Sequence, residues 1–305
     1  MKNKELIKDE NFILTEQQFQ EYQAVNLTND FMFRQCMNDA KILKGVLEEI
    51  WSKEIGELVD IQQDHHIQPT QEHRSIFCDI YARDSKGDIY ILEMQQWPQK
   101  ELRKRSKCYQ SISIFDQCTT KRTKEEKIEY SSVSECYIAF LCCFDVSKVF
   151  QTMKFPIVEE IPKTVYRSDS MMFVDLNNYS LIENERLREL FKFILNSDTP
   201  LHASWDVVQL LWEKVKEKRR NKDMAEDFYI SEARLEERFR NGFRIGEERG
   251  IAIGEQRGRN EGYASANRET VLRMYNQQFP IDMIARAVDM SNHEVYEIVG
   301  SKLPS

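Results

Sequence analysis

Two acidic residues, Asp79 and Glu93, lie in segments whose other residues favour burial. Asp79 begins the stretch DIYARDSKGDIYILEMQ, residues 79–95, and Glu93 lies near its end. Within this stretch, two runs rich in β-branched and aromatic residues flank DSKGD. Such runs predict two β-strands joined by a tight turn. Carboxylates inside a sheet need a counter-charge or a shared proton, so their relative position decides which chemistry they could perform.

The turn sets that relative position. A three-residue hairpin loop built on a type I turn ends in a residue with positive φ, which favours glycine, and residues 85–87 fit this pattern. The numbers of paired residues then sum to 172, which places Asp79 opposite Glu93, with Cβ atoms roughly 5 Å apart. Gln95 shares their face because strand side chains alternate. A four-residue loop would instead put the two acids on opposite faces.

Three arrangements could offset the repulsion between the two carboxylates: a shared proton, an arginine or a divalent cation. Carboxylate, amide and carbonyl oxygens suit Mg²⁺, Mn²⁺ or Ca²⁺. A metal held by a few such oxygens can activate water and neutralise charge on a scissile phosphate, so the third arrangement would suit phosphodiester hydrolysis. In the competing interpretation, Glu93 pairs with a nearby Arg or Lys, and Asp79 lies at a solvated strand edge.

The surrounding segments predict a layered α/β domain that would position these residues. Helical and strand-like apolar patterns alternate along the chain, which is typical of such a fold. The run YIAFLCCF is apolar on both faces and predicts a central strand covered on both sides. The other predicted elements are a helix opened by Asp30 and a second helix after it, strands at 57–67 and 170–179, and helices at 98–118 and 183–197.

Composition predicts a globular intracellular protein. The chain has 305 residues, 41% of them hydrophobic, and a formal net charge of −8, so wholesale binding of polyanions is disfavoured although basic residues cluster at 100–107. Seven cysteines without a CxxC pair favour reduced thiols over disulfides or a zinc site, and hence a cytoplasmic location. The longest apolar run, 137–144, is far shorter than a membrane-spanning helix, so no membrane partner is expected.

Beyond residue 210 the sequence changes to charged helix formers. Glycines recur every four residues from Gly242 to Gly262. Each glycine costs a helix up to about 1 kcal/mol relative to alanine, which favours either compensation by a second helix, and so a homo-oligomer, or a partly frayed linker.

Segment 279–299 has helix-turn-helix spacing, but its second helix carries two glutamates and no arginine, so we interpret it as a helical cap. The predicted parts are an N-terminal arm (1–24), an α/β domain (25–210), a charged helical segment (211–266) and the cap (267–305).

Several of these segments together resemble the PD-(D/E)XK nuclease superfamily, and more narrowly the bacterial Rpn-type family of recombination-promoting nucleases and transposase-like proteins. The Asp79, then Glu93-x-Gln95 pattern is similar to the acidic signature of the superfamily. LTNDFMFRQCMND resembles the opening helix of the family, RKRSKCYQSIS its Arg-x-x-x-Tyr helix and YIAFLCCFDV the next core strand, and the glycine-rich tail is also typical. The resemblance covers most of 25–300 and implies a restriction-endonuclease-like core, with a mixed sheet flanked by helices, followed by a mostly helical C-terminal region.

The resemblance also implies roles for individual residues. Asp79 and Glu93 would hold Mg²⁺, or alternatively Mn²⁺ or Ca²⁺, together with the carbonyl of Met94. Gln95 would position water, but it stands where the wider superfamily usually has lysine, and glutamine can neither supply positive charge nor act as a base. Asp30 would be an additional acid or simply a residue that starts a helix.

The implied substrate is DNA, bound through its backbone by the helix after the acidic strand. Arg105 and Tyr109, one turn apart, would contact a phosphate or else pack the helix against the sheet. The predicted DNA-binding residues are Lys100, Arg103, Lys104, Arg105 and Tyr109. The expected function is a metal-dependent DNA endonuclease in recombination, transposition or defence against foreign DNA. The alternative is a catalytically inactive nucleic-acid-binding or oligomeric partner with the same fold, and the sequence does not separate DNA from RNA as substrate.

Overall fold

The computed structural model describes residues 12–67, 76–120, 133–147, 159–161, 165–167, 169–197 and 203–300. The chain divides into two compact units between residues 230 and 231. Within the described ranges, no helix is long and apolar enough to cross a membrane.

A mixed β-sheet forms the centre of the first unit. Seven strands are present among the described residues, and they lie in the order β1-β2-β3-β4-β7-β6-β5. The pairs β3–β4 and β4–β7 are parallel, whereas the other neighbouring strands are antiparallel. The strands are β1 (Leu58–Ile67), β2 (Ile76–Asp84), β3 (Ile89–Gln95), β4 (Cys136–Cys142), β5 (Glu159–Ile161), β6 (Val165–Arg167) and β7 (Met171–Asp175).

Helices cover both faces of this sheet. The helices of the first unit are α1 (Glu16–Gln23), α2 (Asp30–Met37), α3 (Ala40–Trp51), α4 (Leu102–Thr120), α5 (Glu185–Leu195) and α6 (Asp206–Arg220). On one face, α1, α2, α3, α5 and α6 share a hydrophobic core with strand residues such as Leu92. On the other face, α4 packs on residues such as Ile91. Neighbouring residues of β3 point to opposite faces, so every β3 side chain is buried, and the predicted mixed sheet flanked by helices is confirmed.

The central strand of the sequence prediction is β4, which lies between β3 and β7. Its alternate residues Ala139 and Phe140 belong to the two different hydrophobic cores. This explains why its sequence is apolar on both faces. The two short strands β5 and β6, three residues each, were not predicted.

The first 24 residues do not form a loose arm throughout. Thr15 begins α1 with a capping box shared with Gln18, and Phe19 and Tyr22 are buried. The Tyr22 hydroxyl donates to the Lys218 carbonyl at 3.1 Å. The helix exposes its polar residues and buries only two aromatic rings, and for this reason the segment resembles a polar arm in sequence.

The predicted boundary at residue 210 lies inside α6. Val208, Leu211 and Val215 of this helix are buried in the core of the first unit. Helix α7 (Lys222–Asn276) then begins within the first unit and continues past residue 230. The shift in composition therefore marks charged outer faces of helices and not the end of the domain.

The second unit contains the remainder of α7, α8 (Ile281–Val288) and α9 (Asn292–Gly300). A small apolar core holds these helices together, and Asp289, with φ of 52°, ends α8 in the left-handed conformation. The predicted boundary at 266 and 267 lies within α7, but the two helices predicted for segment 279–299 are present. The buried residues of the small apolar core are Val271, Ile284, Ala285, Val288, Val295 and Val299.

Candidate active site

The β2–β3 hairpin has the predicted register. Ala82 pairs with Tyr90, and Ile80 pairs with Leu92, so the paired numbers sum to 172. The loop ends at Gly87, whose φ of 93° and hydrogen bond of 3.0 Å to the Asp84 carbonyl close the turn. Asp79 and Glu93 are the next facing pair beyond Ile80 and Leu92.

The side chains of the two acids replace backbone pairing where β2 and β3 part. The regular ladder between these strands runs only from Arg83 with Ile89 to Ile80 with Leu92. Beyond it, the Asp79 amide donates to Glu93 Oε1 at 3.0 Å, and the Met94 amide donates to Asp79 Oδ2 at 2.9 Å. Each acid thus accepts a hydrogen bond from the backbone of the opposite strand. This reciprocal bridge fixes the two carboxylates side by side.

Strand β1 and helix α2 provide Asp64 and Arg34, which form ion pairs beside Asp79. Gln63 pairs with Ile80 and His65 with Cys78, so Asp64 lies opposite Asp79 across the β1–β2 pair. Arg34 Nε is 3.2 Å from Asp64 Oδ1, and Arg34 Nη1 is 3.6 Å from Asp79 Oδ1. Arg34 therefore contacts both Asp64 and Asp79.

Helix α4, on the other face of the sheet, provides Arg105. Its Nη2 donates to Glu93 Oε2 at 2.8 Å, and its Nη1 donates to Gln95 Oε1 at 3.1 Å. Its Nε donates to the Tyr109 hydroxyl at 2.8 Å, and that hydroxyl donates to the Phe77 carbonyl at 2.8 Å. Of the counter-charges that the sequence left open, an arginine is thus present at Glu93.

Gln95 shares Arg105 with Glu93. Its Nε2 donates to the Met94 carbonyl at 2.9 Å, while its Oε1 accepts from Arg105. The structure therefore places Gln95 and the Met94 carbonyl beside Glu93. In this arrangement both ends of the Gln95 amide are engaged.

Burial raises the pKa of both central acids. The Glu93 side chain is fully buried, and the nearby Asp79 carboxylate raises the Glu93 pKa further, against the opposing charge of Arg105. Burial raises the pKa of Asp79 to about 6, although the hydrogen bond from the Met94 amide lowers it. The charge of Asp30 also raises the pKa of Asp79 and of Glu93, so Asp30, the first residue of α2, contributes to the same electrostatic site.

Comparison with known protein families identifies the chain. The family described as PD-(D/E)XK nuclease family transposase matches residues 27–199, more than half of the chain, and this segment contains the acid pair, Arg105 and strands β1 to β7. The chain belongs to this family. Comparisons with curated proteins and with solved structures give no match. The predicted superfamily and fold class of this PD-(D/E)XK family member are thereby confirmed.

The charge balance of the family member suits a divalent cation. Among the residues that the structure describes, two more acidic than basic side chains interact at the site: Asp30, Asp64, Asp79 and Glu93 against Arg34 and Arg105. When all are ionised, a charge of −2 remains. Within the described part of the chain, no three His, Cys, Asp or Glu side chains form a ready-made metal cage. Mg²⁺ commonly uses one or two carboxylates and fills its other positions with water and substrate phosphate, so Asp79, Glu93 and the Met94 carbonyl fit such a cation.

The basic residues of α4 have different positions. The helix begins at Leu102, later than the start after Pro98 that the sequence suggests. Lys100 and Lys104 are exposed, and Lys104 pairs with Glu101 at 3.1 Å, whereas Arg103 is partly buried. Arg105 and Tyr109 turn inward, and Tyr109 packs the helix against the sheet, which is the second of its two predicted roles.

Sequence reasoning missed Arg34 and Asp64. Arg34 lies four residues after Asp30 on one helix, so a helical wheel places it on the same face as that acid. No comparable signal existed for Asp64. Its position opposite Asp79 depends on the β1–β2 register, and the connecting residues 68–75 contain no turn pattern that would fix it.

The raised pKa of Asp79 predicts that metal-free stability falls as pH rises. Between about pH 4 and 6 the folded protein retains a proton on Asp79 that the unfolded chain has released, so this carboxyl lowers the free energy of unfolding as pH rises through this window. Asp79→Asn should remove this contribution and make the metal-free protein more stable by up to about 3 kcal/mol at pH 7.5. Glu93, whose pKa is also raised, leaves a decrease of the same sign in both proteins. Urea unfolding in EDTA at pH 4 and 7.5 measures the effect.

The matched control is Asp169→Asn at an exposed position. Its free energy of unfolding should differ from that of the wild type by the same amount at both pH values. A constant difference between wild type and Asp79→Asn across the range would show that the Asp79 carboxyl does not carry the pH dependence.

Proposed function

We propose that this protein is a divalent-metal-dependent endonuclease that hydrolyses phosphodiester bonds in DNA. The observation that supports the proposal is the reciprocal bridge, which holds Asp79 and Glu93 together at the parting of β2 and β3 in a member of a nuclease family. The proposed cofactor is Mg²⁺, with Mn²⁺ or Ca²⁺ as alternatives.

The residues of the site have distinct proposed roles. Asp79, Glu93 and the Met94 carbonyl would hold the cation, which when bound lowers the pKa of water and neutralises charge on the scissile phosphate. Backbone amides already orient one oxygen of each carboxylate, so the acids are positioned before substrate arrives. The Gln95 amide would orient a water molecule through its second N–H or its second oxygen lone pair, but it cannot remove the proton of that water.

DNA would be held mainly through its phosphates. Lys100, just before α4, and Lys104, in its first turn, are exposed, follow Glu93 closely in sequence, and would attract a phosphate backbone without reading bases. Arg103 is proposed to assist them. Arg105 lies deeper, at the carboxylates, where it could meet only the phosphate under attack.

A plasmid cleavage assay tests the proposed activity. Supercoiled plasmid incubated with the full chain should become nicked or linear with Mg²⁺ or Mn²⁺, and should stay intact with EDTA. Labelled single-stranded DNA and RNA in parallel reactions identify the preferred substrate. Cleavage that is equal with and without EDTA would contradict the metal-dependent mechanism.

The second candidate function is a catalytically inactive nucleic-acid-binding or oligomeric partner. Two observations favour it: Arg105 already neutralises Glu93, and Gln95 replaces the lysine usual in the wider superfamily. Calorimetric titration with Mn²⁺ separates the candidates. DNA binding by the wild type without any heat of Mn²⁺ binding would favour the inactive partner.

We also propose that copies of the chain associate through the C-terminal helical region. A Cβ atom added at any glycine from Gly242 to Gly262 would meet nothing within 4 Å beyond its chain neighbours and the nearby backbone of its own helix, and Phe243, Ile251 and Ile253 beside them are exposed. A sedimentation profile unchanged by deletion of 242–262 would contradict this association.

The seven free thiols support a reducing, cytoplasmic setting, in which recombination, transposition or defence against foreign DNA are the proposed processes.

A further inference from the structure

We infer that Arg105 is the internal counter-cation of the metal-free site, and that it competes with a divalent cation for Glu93. This role rests on the proposed function, because it concerns the same carboxylates. It also assigns Arg105 a change of partner, from Glu93 in the metal-free protein to a substrate phosphate once a metal ion is bound.

The first step is that Glu93 requires a counter-charge. Its side chain is 0% exposed, and Arg105 Nη2 lies 2.8 Å from its Oε2. A buried carboxylate that loses the cation paired with it is strongly unfavourable. The metal-free fold is therefore stabilised by Arg105, and any other cation that binds Glu93 takes over this task.

The second step is that both cations need the same oxygen. Glu93 Oε1 already accepts the hydrogen bond from the Asp79 amide, which leaves Oε2 as the oxygen without a backbone partner. Arg105 occupies that oxygen. A divalent cation bound there would lie close to the guanidinium, and like charges at such a distance repel, so metal binding weakens the pair between Arg105 and Glu93.

The third step is that Arg105 can release Glu93 without leaving the site. Its Nε remains held by the Tyr109 hydroxyl at 2.8 Å, and its Nη1 contacts Gln99 Oε1 as well as Gln95 Oε1, both at 3.1 Å. The Tyr109 hydroxyl is itself anchored to the Phe77 carbonyl. Nη2 is then available beside the acid pair, where a guanidinium suits a phosphate oxygen.

Two consequences distinguish this role from simple packing. Removal of the Arg105 charge should strengthen metal binding to the DNA-free protein, whereas loss of a merely structural residue would weaken it or leave it unchanged. In addition, metal and DNA should bind cooperatively in the wild type, because the metal frees Arg105 for the phosphate.

The test is calorimetric titration of Mn²⁺ into the full-length, DNA-free protein at pH 7.5, with wild type beside Arg105→Gln. We expect Arg105→Gln to bind Mn²⁺ at least tenfold more tightly. Its Tm without metal should be lower than that of the wild type, and saturating Mn²⁺ should raise its Tm by more than it raises that of the wild type. If Arg105→Gln folds only when Mn²⁺ is present, that dependence itself supports the inference.

Two further variants make the test specific. Lys107→Gln removes the same charge from an exposed position of the same helix, and its Mn²⁺ affinity should stay within about twofold of wild type because solvent screens it. Arg105→Lys retains the charge but lacks the planar guanidinium that donates to Glu93 and Gln95 at once, so its affinity should fall between wild type and Arg105→Gln.

Mn²⁺ affinity in Arg105→Gln that is equal to or weaker than in the wild type would overturn the inference, even if the wild type cleaves DNA. Conversely, a wild type that cleaves nothing, alongside tighter Mn²⁺ binding by Arg105→Gln, would reject the nuclease activity and leave the competition between Arg105 and metal intact.

Discussion

Glu93→Gln should reduce DNA cleavage by a factor on the order of 10³ or more while the protein remains folded. Glutamine has nearly the shape of glutamate, and its Oε1 can still accept the hydrogen bond from the Asp79 amide. The substitution removes the negative charge that would hold the cation. Single-turnover cleavage of plasmid in Mg²⁺ or Mn²⁺ measures the loss, and circular dichroism reports the fold.

The control for this variant is Glu57→Gln, at a side chain that is 85% exposed. It changes the net charge by the same amount and should leave the cleavage rate within about twofold of wild type, as screened surface charges contribute little. Retention of more than a tenth of the wild-type rate by Glu93→Gln would show that this carboxylate does not bind the catalytic metal.

Asp84→Ala should lower the free energy of unfolding by about 3–5 kcal/mol. The Asp84 side chain is 1% exposed, and its Oδ1 accepts from the amides of Lys86 at 2.9 Å and Asp88 at 3.0 Å. Its Oδ2 accepts from the Gly56 amide at 2.9 Å and from the Tyr90 hydroxyl at 3.4 Å. Alanine would leave three backbone amides without these partners and loosen the turn that sets the register of Asp79 and Glu93.

Urea unfolding of Asp84→Ala, Asp84→Asn and wild type checks this expectation. Asparagine retains one accepting oxygen, so it should lose about half as much stability as alanine. Lys86→Ala, in the same loop but exposed, should change the free energy of unfolding by less than about 0.5 kcal/mol. Equal losses in Asp84→Ala and Lys86→Ala would show that the carboxylate does not organise the turn.

The predictable part of the site depends on local sequence. The hairpin register follows from the loop length and from Gly87, which are properties of a few adjacent residues. Asp79, Glu93 and Gln95 could therefore be placed together without coordinates. Strand β4 was equally predictable from the sequence, because burial on both faces leaves an uninterrupted apolar run.

The remaining part depends on tertiary packing. Whether Arg105 meets a carboxylate or solvent depends on how α4 rotates against the sheet, and this is fixed by distant contacts of Leu102 and Tyr109 with the hydrophobic core. Arg34 reaches Asp79 only because α2 packs near β2. The strand β6 was missed for another reason: three residues cannot show a periodic pattern.

The reciprocal bridge gives the site an intrinsic spectroscopic reporter. The amide protons of Asp79 and Met94 are donated to carboxylates and not to backbone carbonyls. Their NMR chemical shifts and their rates of exchange with deuterium therefore respond to the charge state of the acids. Occupation of the acid pair can thus be followed at two backbone positions on neighbouring strands, without a dye or a substrate.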